Sequence, residues 1–205
     1  MSEQIKNLKT GDLILFNYKT KGCFGCFTKL IKWGTHSNYS HIGMILRDPT
    51  YIKPHLKGLF VWESSWEGEP DPQDNKVKLG VQITPLEEIL HAYQGKGHVF
   101  IRPVICNSNT FNDDIMKKIH DVVYDKPYDI VPKDWIEAFF KKDSHPQKTS
   151  RFWCAALVGY IYTQVGILNK ETDWSILTPC DFSLDGENLM FLNKNKLKNV
   201  EYRIF

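Results

Sequence analysis

The order of its periodicities constrains this chain more than any single residue. Segments with apolar residues at every second position come first, and helical spacing comes later. Asp12 to Tyr18 is a short apolar strand candidate, and His41 to Arg47 places Ile42, Met44 and Leu46 on one face. Leu59 to Ser65, Val81 to Thr84, Gly97 to Val104 and Val200 to Ile204 are further strand candidates. Phe24 to Trp33 is a helix candidate, and Pro85 opens a short helix, since proline suits a first turn. Thr110 with Asp113 resembles a capping box for a helix to about Tyr124, with Ile115, Ile119, Val122 and Val123 at helical spacing. Pro132 to Phe140 is a short helix candidate. Ser150 is placed to cap a longer helix from Arg151 to about Leu168. Glu67 to Lys78 reads as a loop or flap, and Lys141 to Ser150 as a polar loop. Strands followed by helices predict an α+β fold with a small antiparallel sheet packed against helices, rather than a doubly wound sheet. No repeat or domain boundary interrupts the 205 residues, so residues 1–205 are expected to form one domain.

Composition narrows the function classes. Apolar residues make up 42% of the chain, which argues against disorder. The 26 basic and 24 acidic residues leave a net charge of +2, too balanced to suggest a nucleic-acid partner. The first residues carry no apolar signal-peptide core, and the longest apolar run, Phe152 to Leu168, is interrupted by Gly159, Gln164 and Gly166. Five cysteines without an export signal suggest free thiols in a reducing compartment, hence an intracellular, soluble protein.

Cys154 lies in Arg151-Phe-Trp-Cys-Ala-Ala-Leu-Val at the start of the predicted helix. The first helical turn presents unsatisfied N–H groups and the positive end of the dipole, and both favour a nucleophilic thiolate. The same residue followed by Ala-Ala-Leu-Val also suits plain packing. His41 opens its strand at what would be the edge of a cleft, with Gly43 on the same face leaving room for a neighbour. A surface or core histidine is the alternative there. Glu63 sits within an apolar strand, where a carboxylate needs a partner. It can orient His41 if the two strands pair, and is otherwise an exposed edge-strand residue.

Taken in order, these segments resemble the circularly permuted branch of the NlpC-type papain-like superfamily, which includes YiiX-like proteins and is related to the lecithin:retinol acyltransferase group. The matching pieces are Gly11-Asp-Leu-Ile-Leu-Phe16, Tyr39-Ser-His-Ile-Gly-Met44, Val61-Trp-Glu-Ser64, Lys126-Pro-Tyr-Asp129, Phe152-Trp-Cys-Ala-Ala-Leu-Val158 and Thr178-Pro-Cys-Asp-Phe182. Asp125 stands where glycine is common, and Ala155 replaces the usual serine. The resemblance implies a papain-like fold, with Cys154 as nucleophile, His41 as base and Glu63 as orienting acid. It implies a thiol hydrolase, such as a cysteine peptidase, or an acyltransferase, working through an acyl-enzyme on a peptide, isopeptide or lipid. The Cys154 backbone N–H would serve the oxyanion. Tyr128 is a candidate second donor, with a cleft-wall tyrosine as its alternative. Such chemistry uses side chains alone, so no cofactor or metal is expected.

Two other readings compete. Cys23-Phe-Gly-Cys26 followed by His36 and His41 has zinc-ligand residue types, but the interval from Phe27 to Thr35 is shorter than the usual twelve or so residues. A His41 bound to zinc could not act as a base. A catalytically silent lipid- or peptide-binding domain is the second alternative, with Trp62 and Trp66 walling an apolar groove. Lys141-Lys142 suits a peripheral membrane contact or an acidic partner, although short charge pairs are usually solvated. Oligomeric state is not legible.

Overall fold

A computed structural model describes residues 3–18, 38–129, 149–186 and 189–205. A short helix, α1 (Glu3–Lys6), precedes strands β1 (Leu13–Tyr18), β2 (His41–Arg47) and β3 (Leu59–Ser65). Next come β4 (Pro70–Asp71), β5 (Lys76–Val77), β6 (Gly80–Pro85), α2 (Leu86–Tyr93), β7 (Gly97–Arg102) and β8 (Val104–Ile105). Helices α3 (Asp113–Val123) and α4 (Cys154–Gln164) follow, then two 3₁₀ turns, β9 (Lys196–Leu197) and β10 (Tyr202–Arg203). The main sheet has six strands in the order β10-β7-β1-β2-β3-β6, every neighbour antiparallel. The chain is therefore of mixed α and β type with an antiparallel sheet, in keeping with the expected α+β class. The helix candidates at Phe24 to Trp33 and Pro132 to Phe140 lie outside the described residues.

Alternation divides the sheet's two faces. Leu13, Leu15, Ile42, Met44, Leu46 and Trp62 join the core shared with α3 and α4. Ile14, Phe16, Ile45 and Val61 face the other way, onto Leu86 and Ile89 of α2 and onto Ile5 and Leu8. Helix α4 is buried from Cys154 to Thr163. An all-round apolar helix belongs inside a core, which explains the longest apolar run in the sequence. Among the described residues, no helix is long and apolar enough to cross a membrane.

Three local expectations need correction. Asn112, not Thr110, caps α3: its Oδ1 accepts from Ile115 N at 3.1 Å. Ser150 does not cap α4, whose N-cap is Trp153. The residues before Trp153 are held extended instead: Phe152 N donates to Pro127 O (3.1 Å), and Phe152 O accepts from Asp129 N (3.2 Å) and Ser64 Oγ (2.6 Å). These contacts use the backbone groups that a longer helix would need. The helix ends earlier than Leu168, because Gly166 takes φ +76° and the bonds Ile167 N to Tyr162 O and Gly166 N to Thr163 O close a Schellman motif. The third correction concerns 67–78. The segment is not a plain loop but carries the β4–β5 hairpin, pinned by buried Lys78, whose Nζ donates to Asp71 Oδ2 at 3.0 Å.

Gly43 shows how tightly β2 and β3 meet. A Cβ there would stand 2.5 Å from Val61 Cγ1 and 3.4 Å from Glu63 Cβ. Gly43→Ala is expected to cost about 1–3 kcal/mol through overpacking, read as a lower urea midpoint at unchanged slope.

Candidate active site

Three elements converge on the start of α4. Strand β2 begins with His41 and β3 ends just beyond Glu63, so antiparallel pairing brings the two side chains to the same end of the sheet. Both residues follow the alternation that points Ile45 and Val61 to the α2 face. The bond from Ser64 Oγ to Phe152 O then ties the approach to α4 onto β3. Cys154 is therefore the first residue of a helix anchored against the strand that carries Glu63.

His41 Nε2 stands 2.6 Å from Glu63 Oε2. A carboxylate only accepts, so the ring donates its Nε2 proton. Cys154 lies close enough to the His41 ring for its side chain and charge to favour the protonated imidazole. With Nε2 committed to Glu63 Oε2, Nδ1 is the ring nitrogen left for the thiol. The His41 side chain is 13% exposed and that of Glu63 is fully buried. Burial alone would lower the His41 pKa. The hydrogen bonds and charges of Cys154 and Glu63 outweigh it and hold the imidazolium well above its ordinary 6.5. The Phe16 ring supports the imidazole at 5.2 Å between centroids.

The thiol meets an uncompensated helix terminus. Trp153 provides no side-chain cap, and no acidic residue lies in the first turn of α4. The first N–H groups of the helix thus keep their positive end for whatever sits beside Cys154. Tyr128 lies close enough to feel the Cys154 charge. Burial first, then Cys154 and Asp129, hold its phenol well above the ordinary 10, so it stays an un-ionised donor.

Sequence reasoning thus singled out Cys154, His41, Glu63 and Tyr128, and the structure brings the four together: His41 bonds to Glu63, and Cys154 lies close enough to act on the charges of both His41 and Tyr128. Of the zinc reading, Cys23, Cys26 and His36 lie outside the described residues, while His41 is engaged by Glu63 and Cys154. Trp62 cannot wall a groove: it is 1% exposed and part of the core, whereas Trp66 is 55% exposed. The end of β3 fixes this difference: Trp62 is inside the strand and points towards α3 and α4, whereas Trp66 stands beyond it.

Glu67 and Tyr93 escaped the sequence reading. Glu67 lies in the stretch taken for a flap, yet its carboxyl approaches His41 and Glu63: the ligating atoms of the three lie within 4.8 Å of one another. The available signal was periodicity, because Glu63, Ser65 and Glu67 continue the strand's two-residue alternation past its end. Tyr93, from α2, packs its ring 4.6 Å from Phe16. No sequence pattern pointed to it, since its approach depends on how α2 docks. No family model and no curated protein matches this chain.

Proposed function

We propose that this protein is a thiol hydrolase or acyltransferase, with Cys154 as nucleophile, His41 as base and Glu63 as the acid that orients His41. The observation that carries the proposal is the chain Cys154–His41–Glu63 assembled at an uncapped helix terminus. A packing cysteine needs neither an imidazole nor a helix end, and a structural histidine needs no thiol. The raised His41 pKa favours a proton on the ring, and His41 takes the Cys154 proton at Nδ1 as the sulfur is activated. The thiolate attacks a carbonyl carbon, and the negative charge moves to the oxygen, towards the Cys154 N–H and the Tyr128 hydroxyl. His41 passes its Nδ1 proton to the leaving alcohol or amine as the carbonyl reforms. Water or another acceptor, deprotonated by His41, then releases the acyl group. The reading agrees with the sequence resemblance to the permuted NlpC-type papain-like superfamily. The substrate is an amide or ester in a peptide, isopeptide or lipid.

One surface feature favours an apolar partner and keeps the silent binding domain as a second reading. Trp66 and Leu79, both exposed, flank the last β3–β6 pair, Ser65 with Gly80. Leu79 O also accepts from Tyr128 N at 3.1 Å, so this apolar edge adjoins the segment that carries Tyr128.

The two readings separate on one experiment. Incubation with p-nitrophenyl acetate is expected to place a single acetyl group on Cys154, seen by mass spectrometry of the peptide. Native Cys154 should also react with iodoacetamide near pH 6 at least about tenfold faster than free cysteine. Reaction at the free-thiol rate, with no acyl adduct, leaves the binding-domain reading.

A further inference from the structure

Glu63 presents an unresolved polar atom. Its Oε2 accepts from His41, but its Oε1 is buried and finds no hydrogen-bond partner among the described residues. A buried, unsatisfied carboxylate oxygen is costly and needs an explanation. Glu67 is the nearby group that could supply one, with a carboxyl oxygen within 4.8 Å of the Glu63 and His41 atoms. Two ionised carboxylates cannot bond to each other. One proton between them changes that, as in any carboxyl pair sharing a site.

The geometry points to Glu67 as a positioning residue: in its protonated form it donates to Glu63 Oε1, holding Glu63, and through it His41, in register with Cys154. The inference rests on the proposed thiol chemistry for its functional consequence. The supporting chain is already built on the sheet. Gln82, buried on β6 and paired in register with Glu63, donates from Nε2 to Ser65 Oγ at 2.9 Å. The Ser65 side chain in turn lies close enough to Glu67 to favour its ionised carboxyl. Glu67 is half-buried, so its stem can turn to bring a protonated carboxyl oxygen to Glu63. The sequence of groups then runs Gln82, Ser65, Glu67, Glu63, His41, Cys154.

The charges around Glu67 agree. Burial first, then the Glu63 charge, push its carboxyl up to about 7, against the pull of His41, Ser65 and Lys96. Tyr93 faces it from α2 as a neutral phenol, its own pKa raised well above 10 by burial, then by Glu67 and Glu63. Glu67 therefore keeps its proton in mildly acidic solution and loses it around neutrality. Ionised, it repels Glu63 and releases the clamp.

A metal ion is the competing occupant of these three side chains. The 2.6 Å between His41 Nε2 and Glu63 Oε2 is a hydrogen-bond separation. Two ligands each about 2.0–2.1 Å from one tetrahedral zinc stand farther apart than that. The proton fits the observed spacing and the ion does not.

The test follows the His41 ring nitrogens by ¹⁵N NMR across pH in the full chain, beside Glu67→Gln and Glu67→Ala. In the wild type, a His41 inflection is expected near pH 7, where Glu67 titrates. Glu67→Gln, which still donates but cannot ionise, should lose that inflection. Its Cys154 iodoacetamide rate near pH 6 should stay within about twofold of the wild type. Glu67→Ala removes the donor and should lower that rate about three- to tenfold. An inflection that persists in Glu67→Gln, or equal rates in all three proteins, overturns the inference while leaving the Cys154–His41 chemistry standing. One equivalent of zinc bound by the dialysed protein and lost in Glu67→Gln would overturn it in favour of the metal. If instead wild-type Cys154 reacts like a free thiol, the functional reading fails, and the NMR inflection still decides whether Glu67 clamps Glu63.

Discussion

His41→Gln is expected to slow acylation of Cys154 by p-nitrophenyl acetate about 10²- to 10⁴-fold, the range for a positioned general base. The choice of glutamine matters. Its side-chain N–H can take over the donor role of His41 Nε2 towards Glu63 Oε2, so the fully buried carboxylate keeps a partner. What disappears is the imidazole that faces Cys154. His41→Ala removes both, and with them the bond to Glu63 Oε2. That variant should lose a further ~3–5 kcal/mol of stability, the usual cost of a buried charge stripped of its partner. Comparing the two substitutions separates chemistry from folding. Acylation of His41→Gln at the wild-type rate would remove His41 from the mechanism.

The same residue sets a pH dependence of stability. The native state holds the His41 proton more tightly than the unfolded chain, whose histidine titrates near 6.5. The resulting stabilisation is complete below pH 6.5 and is lost as pH rises through the higher native value. Wild-type stability measured by urea unfolding should therefore fall relative to His41→Gln as pH climbs above 6.5. A constant difference between the two proteins across that range would contradict the raised pKa.

Trp62→Ala is expected to lower stability by about 3–5 kcal/mol, as for other large-to-small changes in a packed core. Trp62 is 1% exposed, pairs in register with Met44 on β2 and Ile83 on β6, and sits 6.1 Å from the His120 ring. The void would open between the sheet and α3, where Met116, Ile119 and Val123 are already buried. Native domains are stable by only about 5–15 kcal/mol in total. For a chain of this size the loss corresponds to roughly 6–20 °C in Tm. Trp66→Ala, at a 55% exposed position, should stay within about 0.5 kcal/mol of the wild type. Two tryptophans four positions apart thus have different jobs, and differential scanning calorimetry of both variants checks it. Equal, small losses would show that Trp62 is not a core residue.

Much of the framework was legible because its signals are local. The limits of β2 and β3 follow from alternation, and the observed strands are His41–Arg47 and Leu59–Ser65 as expected. Pro85 opens α2 one position earlier than a first-turn proline: it ends β6 and serves as the N-cap. Helix starts were harder, because two candidate caps often lie within a few residues. Asn112 prevailed over Thr110, whose N–H is used in a turn to Asn107 O. At α4, contacts with Pro127, Asp129 and Ser64 held Phe152 extended, and these come from segments remote in sequence. The later start places Cys154 on the first residue of the helix, where the unpaired N–H groups are. The buried Lys78–Asp71 pair was similarly hidden, since alternating charges look solvated until a hairpin folds them inward.

For the site, residue type and order sufficed to single out Cys154, His41 and Glu63, because each chemical role admits few side chains. Their meeting is a tertiary fact. It depends on the β2–β3 register, which a one-residue slip would reverse, and on Ser64 fastening the approach to α4. Glu67 belongs wholly to the second kind of knowledge. As a sequence it is one more acid in a polar stretch. Only the fold brings it beside Glu63 and gives the pair a proton to share, because desolvation and like charge act through space and not along the chain.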